Sequence, residues 1–87
     1  MVSREVTISS KTGLESKMAA KLIQKASEYE SNIWIQKEER KANAKSLLGL
    51  LSLGISPGDR ITIITDGRDE ETALNELEVF AEKGMTD

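Results

Sequence analysis

Ser46 is the residue whose position first suggests chemistry, because it stands immediately before a compact apolar segment that ends at Gly54. Serine is a preferred N-cap, where its hydroxyl accepts a hydrogen bond from a backbone N–H two or three residues further on. A phosphoryl group on that hydroxyl would meet free backbone N–H groups and add a charge of about −1.5 to −2, with Lys45 adjacent. Ser46 is therefore a candidate phosphorylation site, and a plain helix cap is the alternative interpretation.

The apolar segment itself contains more leucine than one buried side can use. On a helix, Leu47, Leu48 and Leu51 share one side, whereas Leu50 and Leu53 lie on another. A small domain cannot bury both sides of a short helix against one sheet. We predict that Leu47, Leu48 and Leu51 form an exposed surface that docks a partner, here called the leucine surface. The alternative is a core helix that the rest of the chain wraps on all sides.

Two residue types that most catalytic sites use are absent. The chain has no histidine and no cysteine, which removes imidazole catalysis, thiolate nucleophiles, disulfides and the common zinc sites. Carboxylates alone could hold Mg²⁺ or Ca²⁺, but no metal site is predicted and no cofactor is expected. We therefore expect a protein that is not an enzyme.

Charge and hydropathy exclude further classes of function. The 12 basic and 15 acidic residues, a formal net charge of −3, argue against a surface that neutralises nucleic-acid phosphates. Residues 1–5 lack the apolar region of a signal peptide. The longest apolar stretch, residues 47–55, is far shorter than the ~20 residues that span a bilayer. We expect a cytoplasmic protein that binds neither nucleic acid directly nor a membrane.

Apolar spacing and turn residues assign seven elements. Their order, βαββαβα in a single domain over residues 1–87, favours an α+β fold with a four-stranded antiparallel sheet and three helices on one face. Trp34 is predicted to point away from the core. The elements are a strand over 2–8, a helix from about Ser16 to Tyr29, a strand around Ile33 to Ile35, a short strand around Lys41 to Asn43, a helix from Ser46 to Gly54, a strand from Arg60 to Thr65, and a final helix capped by Asp69.

Motifs along the whole chain resemble those of HPr, the phosphocarrier of the bacterial sugar phosphotransferase system. The run NAKSLLGLLSLG, residues 43–54, resembles the regulatory serine region of that family. The run KTGL, residues 11–14, resembles the approach to its active histidine, and residues 67–77 resemble its last helix. The resemblance implies an open-faced β-sandwich with the element order assigned above.

The chain departs from the HPr pattern at the residues that carry the family's reaction. Glu15 stands where the phosphorylated histidine would be, followed by Ser16, Lys17 and Met18 in place of alanine, arginine and proline. Phosphohistidine transfer needs an imidazole nitrogen, so we expect that transfer to fail. Glu15 could instead carry an acyl phosphate, act as a fixed negative charge near the first helix, or be a solvated loop carboxylate.

A missing histidine together with a kept serine region resembles the catabolite-repression HPr branch of Gram-positive bacilli. The resemblance implies phosphorylation of Ser46 by HPr kinase/phosphorylase, and then binding to catabolite control protein A, a LacI-type transcription regulator, through Lys45 and the leucine surface. A phosphoryl carrier that uses Glu15 and a binding module that is never phosphorylated are the alternatives. Exchange of the edge strand 2–8 would give a weak homodimer, and a monomer is the other expected state.

Overall fold

The computed structural model describes residues 1–8, 16–56 and 58–83. Within these ranges the chain forms four strands and three helices, and the predicted order βαββαβα is confirmed. The strands are β1 (Val2–Thr7), β2 (Asn32–Lys37), β3 (Arg40–Asn43) and β4 (Arg60–Asp66), and the helices are α1 (Ser16–Ala26), α2 (Leu47–Ser52) and α3 (Glu70–Glu82).

The strands form one antiparallel sheet in the order β1-β4-β2-β3. The register places Ile63 of β4 between Arg4 of β1 and Ile35 of β2, and Ile35 opposite Ala42 of β3. Side chains alternate between the two faces of a strand, so this register brings one isoleucine-rich row to the same face. In the described part of the chain β1 and β3 are the edges of the sheet, so the strand predicted to exchange is an edge strand.

One face of the sheet is buried beneath the helices and forms the core with them. Branched residues at every second strand position supply the sheet side of this core. The main contributors are Val6, Ile33, Ile35, Ile61 and Ile63 from the strands, and Ala19, Leu22, Leu50, Leu77 and Phe80 from the helices.

Arg4 interrupts the apolar alternation of β1, and the structure gives the reason. Its guanidinium reaches the outer side of α3, where Nη1 donates to Oδ1 of Asn75 at 2.8 Å and to Oε1 of Glu78 at 2.7 Å. The position therefore ties the edge strand to the last helix instead of filling the core.

Trp34 lies on the open face of the sheet, as its position between two buried isoleucines predicts. Its side chain is half-buried and packs in register with Ile64 of β4. The Lys41 ammonium lies 5.6 Å from the ring centroid, within the range of a cation–π contact. The predicted orientation of Trp34 is confirmed.

The first helix ends earlier than its apolar spacing predicts. Regular α1 stops at Ala26, whereas the sequence favoured a helix to Tyr29. The N–H groups of Glu28 and Tyr29 bond to carbonyls three residues back, at 3.1 and 3.3 Å, so the last turn tightens. Tyr29 stays buried in this turn, which is why its spacing resembles that of a helical core residue.

Asp69 was predicted to cap α3, but its side chain bonds to the loop before β2. It occupies the N-cap position without a side-chain capping bond. Its carboxylate accepts from the N–H groups of Glu30 and Ser31, at 2.9 and 3.0 Å, and from the Ser31 hydroxyl. These bonds, the hydroxyl first, lower the pKa of Asp69. The predicted N-cap position of Asp69 is confirmed, but its side chain makes no capping bond because the loop before β2 competes for the same carboxylate.

Gly67 allows the loop before β2 to approach the loop after β4. A Cβ atom at this position would lie 2.7 Å from Cα of Ser31 and 2.8 Å from its Oγ. The first of these atoms belongs to the backbone, so it cannot move aside as a flexible side chain would. Glycine at position 67 is therefore required for the approach that lets Asp69 reach Ser31.

We expect Gly67→Ala to lower the free energy of unfolding by about 2–3 kcal/mol, the cost of overpacking a tight contact. Gly54→Ala is the matched control, because Gly54 has φ +65 with nothing within 4 Å of a built Cβ. It should cost only the backbone strain, about 1 kcal/mol. Urea denaturation of both variants measures the difference, and equal losses would contradict the close-approach argument.

Candidate functional site

Ser46 caps α2 as its position in the sequence predicts. Its backbone is extended, with φ −113 and ψ 114, and its Oγ accepts from the N–H of Gly49 at 3.2 Å. Its carbonyl accepts the first helical bond, from Leu50 at 3.0 Å, and its own N–H donates to the carbonyl of Asn43 at 3.0 Å. The residue is half-buried. The backbone on both sides of this half-buried serine is therefore already fixed by hydrogen bonds.

The turn that leads into α2 is held by Asn43 and Lys45. The Asn43 side-chain oxygen accepts from the N–H of Lys45 at 2.8 Å, a local turn that asparagine favours. The Lys45 ammonium donates to the carbonyls of Tyr29 and Ser31, at 3.1 and 3.3 Å. Lys45 thus ties the approach to α2 to the loop before β2, and its use by a partner stays a prediction.

The leucine surface is exposed. Leu48 is 82% exposed, Leu47 41% and Leu51 36%, whereas Leu50 and Leu53 are buried in the core. The division of the five leucines between two sides matches the helical pattern, and a helix buried on all sides is excluded. Docking of a partner on this surface stays a prediction.

Gly49 is the feature of α2 that helical spacing does not explain. A Cβ atom there would lie 3.2 Å from Oγ of Ser46 and 3.3 Å from Cβ of Ala42. The glycine, with its low helix propensity, is therefore the residue that lets α2 approach β3 closely while Ser46 keeps its capping geometry. Two small residues facing each other across this contact, Gly49 and Ala42, are the signal that could have predicted it.

The carboxyl end of α2 contacts charged side chains of the β2–β3 hairpin. Arg40 donates through Nη2 to the carbonyl of Ser52, and Lys37 donates through Nζ to the carbonyl of Gly54 at 2.7 Å. Lys37 also forms an ion pair with Asp59 at 2.7 Å. This hydrogen bond from Lys37, followed by one from the N–H of Ser56, lowers the pKa of Asp59. Neither cation has a local sequence signal that points to α2.

The residues that replace the family's active-site motif fall partly outside the described ranges. Glu15 lies outside them, and so do the side chains of Ser16 and Lys17, whose backbones begin α1. Met18 is half-buried and packs against the core from the first turn of α1. The side chain that replaces the family's proline thus has a packing role here.

The described residues contain no group of three or more acidic side chains placed to hold a metal ion. Among the helices in these same ranges, none is long and apolar enough to cross a membrane.

An antiparallel sheet open on one face, with helices and a capping serine beside exposed leucines on the other, is the arrangement that the motifs of the phosphotransferase-system phosphocarrier class imply. Residues 2–83 match the sequence pattern described as the PTS HPr component phosphorylation site. The chain belongs to the HPr family.

Individual relatives indicate which branch of the HPr family this chain resembles. The HPr-like protein Crh of Halalkalibacterium halodurans is 46% identical over 83 residues, which are 95% of this chain and 99% of that protein. The structure of HPr-C-His from Thermoanaerobacter tengcongensis superposes with a TM-score of 0.94 at 38% identity, covering 100% and 98% of the two chains. Crh of Bacillus subtilis, solved as a dimer with a swapped domain, gives 0.77 at 37% identity with both chains fully covered. The chain groups with the Crh branch.

Replacement of Ser46 by alanine should remove the cap of α2 and lower the free energy of unfolding by about 1 kcal/mol. Ser52→Ala is the matched control, because its hydroxyl donates to the carbonyl of Gly49 at 2.8 Å from an exposed position on the same helix. We expect a smaller loss for that variant in urea denaturation. If both serines cost the same, the Ser46 hydroxyl has no special role in holding α2.

Proposed function

We propose that this protein is a regulator of carbon catabolite repression that is switched by phosphorylation of Ser46. HPr kinase/phosphorylase modifies the serine, and the modified protein then binds catabolite control protein A, a LacI-type transcription regulator. The protein acts in the cytoplasm as one HPr-like domain, is a substrate and adaptor instead of an enzyme, and contacts DNA only through its partner. The observation that supports this most directly is a half-buried capping serine immediately beside the leucine surface.

The proposal excludes the phosphocarrier reaction of the family. A phosphohistidine needs an imidazole, and the chain contains no histidine at any position. Glu15 occupies the equivalent position by resemblance, and a carboxylate there would repel an incoming phosphoryl anion. Regulation without transfer is consistent with the likeness to Crh proteins.

The contacts of Ser46 favour a modification that leaves the fold intact. Phosphorylation would replace one hydrogen bond of Oγ, the 3.2 Å contact with Gly49. The backbone bonds of Ser46 to Leu50 and Asn43 do not involve the hydroxyl. The added charge therefore changes the surface of α2 more than its position.

A phosphate on Ser46 and the leucine surface would offer two complementary contacts. The phosphate oxygens would accept charge-assisted hydrogen bonds from basic side chains of the regulator. Leu48, the most exposed of the three leucines, would enter an apolar pocket and supply much of the binding energy. Specificity for the modified form follows, because an unmodified Ser46 leaves the regulator's cations unpaired.

The proposed oligomeric state is a monomer that exchanges with a weak homodimer. β1 is an edge strand, and an exchanged copy could remake the same pairing with β4 of a second chain. The swapped dimer of Bacillus subtilis Crh supports this proposal.

Intact mass after incubation with ATP, Mg²⁺ and HPr kinase/phosphorylase tests the switch. We expect a single added phosphate on the native sequence and on Ser52→Ala, and none on Ser46→Ala. An authentic HPr in the same reaction shows that the kinase is active. Native mass spectrometry of the same samples reports the fraction of dimer.

Two results would contradict the Ser46 proposal in different ways. No added phosphate, while authentic HPr is modified alongside, would leave a binding module that is never phosphorylated. A phosphate that persists in Ser46→Ala and is released by hydroxylamine would indicate an acyl phosphate, and so a carrier that uses Glu15.

Leu48→Asp in the Ser46-phosphorylated protein should weaken binding to catabolite control protein A at least tenfold, as loss of a central apolar anchor does. Val79→Asp is the matched control, since Val79 is a 46% exposed apolar residue on α3. Calorimetric titration measures both affinities. Equal binding of Leu48→Asp and the parent would refute the leucine surface as the docking site.

A further inference from the structure

Two cations oppose each other at the end of the β2–β3 hairpin. Lys37 and Arg40 are direct partners in the strand register, separated only by Glu38 and Glu39. Like charges directly opposite on neighbouring strands repel each other, so this pairing is unfavourable locally. Both side chains follow the alternation of Ile35 and Ala42, which places them on the helix-facing side of the sheet. An unfavourable pair of like charges in the register indicates a compensating contact elsewhere in the fold.

The compensating contacts are the carbonyl of Ser52, the last residue of α2, and the carbonyl of Gly54, two residues beyond it. Arg40 donates to the carbonyl of Ser52, and Lys37 donates to the carbonyl of Gly54 at 2.7 Å. The final carbonyls of a helix have no partner within the helix, and positive charge near them is favourable. The last turn of α2 contains no basic residue of its own. The hairpin therefore supplies the charges that the helix lacks.

Asp59 fixes the position of the Lys37 ammonium. The carboxylate lies 2.7 Å from Nζ in a half-buried ion pair, and it also accepts from the N–H of Ser56 at 2.8 Å. The backbone carbonyl of Asp59 accepts from the N–H of Ile8 at 2.9 Å. Lys37 thus joins the end of α2 to a loop that is itself anchored to the chain beyond β1.

We propose that Lys37 and Arg40, here called the hairpin clamp, are positioning residues for the leucine surface. By holding the carboxyl end of α2, they set the orientation in which Leu48 and Leu51 face a partner. The effect on partner binding rests on the function proposed above, whereas the effect on α2 does not. The clamp adds to the docking site two side chains that act through α2.

Hydrogen exchange of the free protein tests the hold on α2 without any partner. The amides of Leu53 and Gly54 bond to the carbonyls of Leu50 and Leu51, at 3.2 and 3.3 Å, and report the last turn. We expect Lys37→Met and Arg40→Met each to speed their exchange about fivefold, consistent with the net loss of one hydrogen bond at a solvent-exposed end of the helix. The conservative variants Lys37→Arg and Arg40→Lys should keep most of the protection.

Lys41→Met is the matched control for the clamp. Lys41 follows Arg40 on β3, but its ammonium lies over Trp34 on the open face of the sheet. Its loss should leave α2 exchange unchanged. Asp59→Asn is a second probe, because it changes no residue of α2 and neither residue of the clamp. It removes the same ion pair as Lys37→Met. Combining the two substitutions should therefore speed the exchange of the α2 amides no more than Lys37→Met alone.

Affinity of the Ser46-phosphorylated variants for catabolite control protein A completes the test. We expect a threefold to tenfold loss for each clamp variant, rescued by the conservative substitutions and absent in Lys41→Met. Unchanged α2 exchange in both clamp variants would overturn the clamp, whatever the affinities are. Faster exchange with unchanged affinity would overturn its positioning role. If the phosphorylated parent does not bind the regulator, the proposed function fails together with the partner half of this proposal, and the exchange data alone decide the hold on α2.

Discussion

A helix as short as α2 depends on contacts that it cannot make itself, and the candidate site follows from this constraint. Six residues make fewer than two turns, about 1.7, and helices of this length are unstable in isolation. Ser46 satisfies a donor at one end, the hairpin supplies cations at the other, and Leu50 anchors the middle in the core. Every one of these contacts uses the inner side or an end of α2. The outer side is left to the leucines that the core cannot accept.

The sheet determines where this short helix can lie. β4 pairs with β1 on one side and with β2 on the other, so the β2–β3 hairpin forms one flank of the sheet. α2 connects β3 to β4 and must return across the inner face next to that hairpin. Gly49 against Ala42 allows the approach, and the cations of the hairpin then reach the carbonyls at the end of the helix. The leucine surface therefore lies on the outer side of α2, whose inner side packs against α1 and β3.

Local patterns in the sequence predicted the features that depend on local physics. The element order, the cap at Ser46 and the division of five leucines between two sides all follow from spacing and residue type. The features that were missed depend on residues far apart in the chain. Asp69 has the sequence context of a helix cap, yet its carboxylate bonds to Ser31. Lys37 and Arg40 have the context of a polar turn, yet they hold α2. A side chain with two competing partners cannot be assigned from its neighbours in sequence alone.

The contacts around α2 explain how this HPr fold keeps the cap at Ser46 although the chain has no histidine. In the described part of the chain, the bonds that hold α2 and its approach come from Asn43, from the hairpin and from the loop before β2. The family's reactive position corresponds to Glu15, which precedes α1 on a different connection of the sheet. α2 also packs against α1, but the hydrogen bonds that fix its two ends come from Ser46, Lys37 and Arg40, so substitutions around residue 15 do not have to remove the cap at Ser46. The chain therefore keeps the cap at Ser46 and the exposed leucines beside it, although the residue at the family's reactive position has changed.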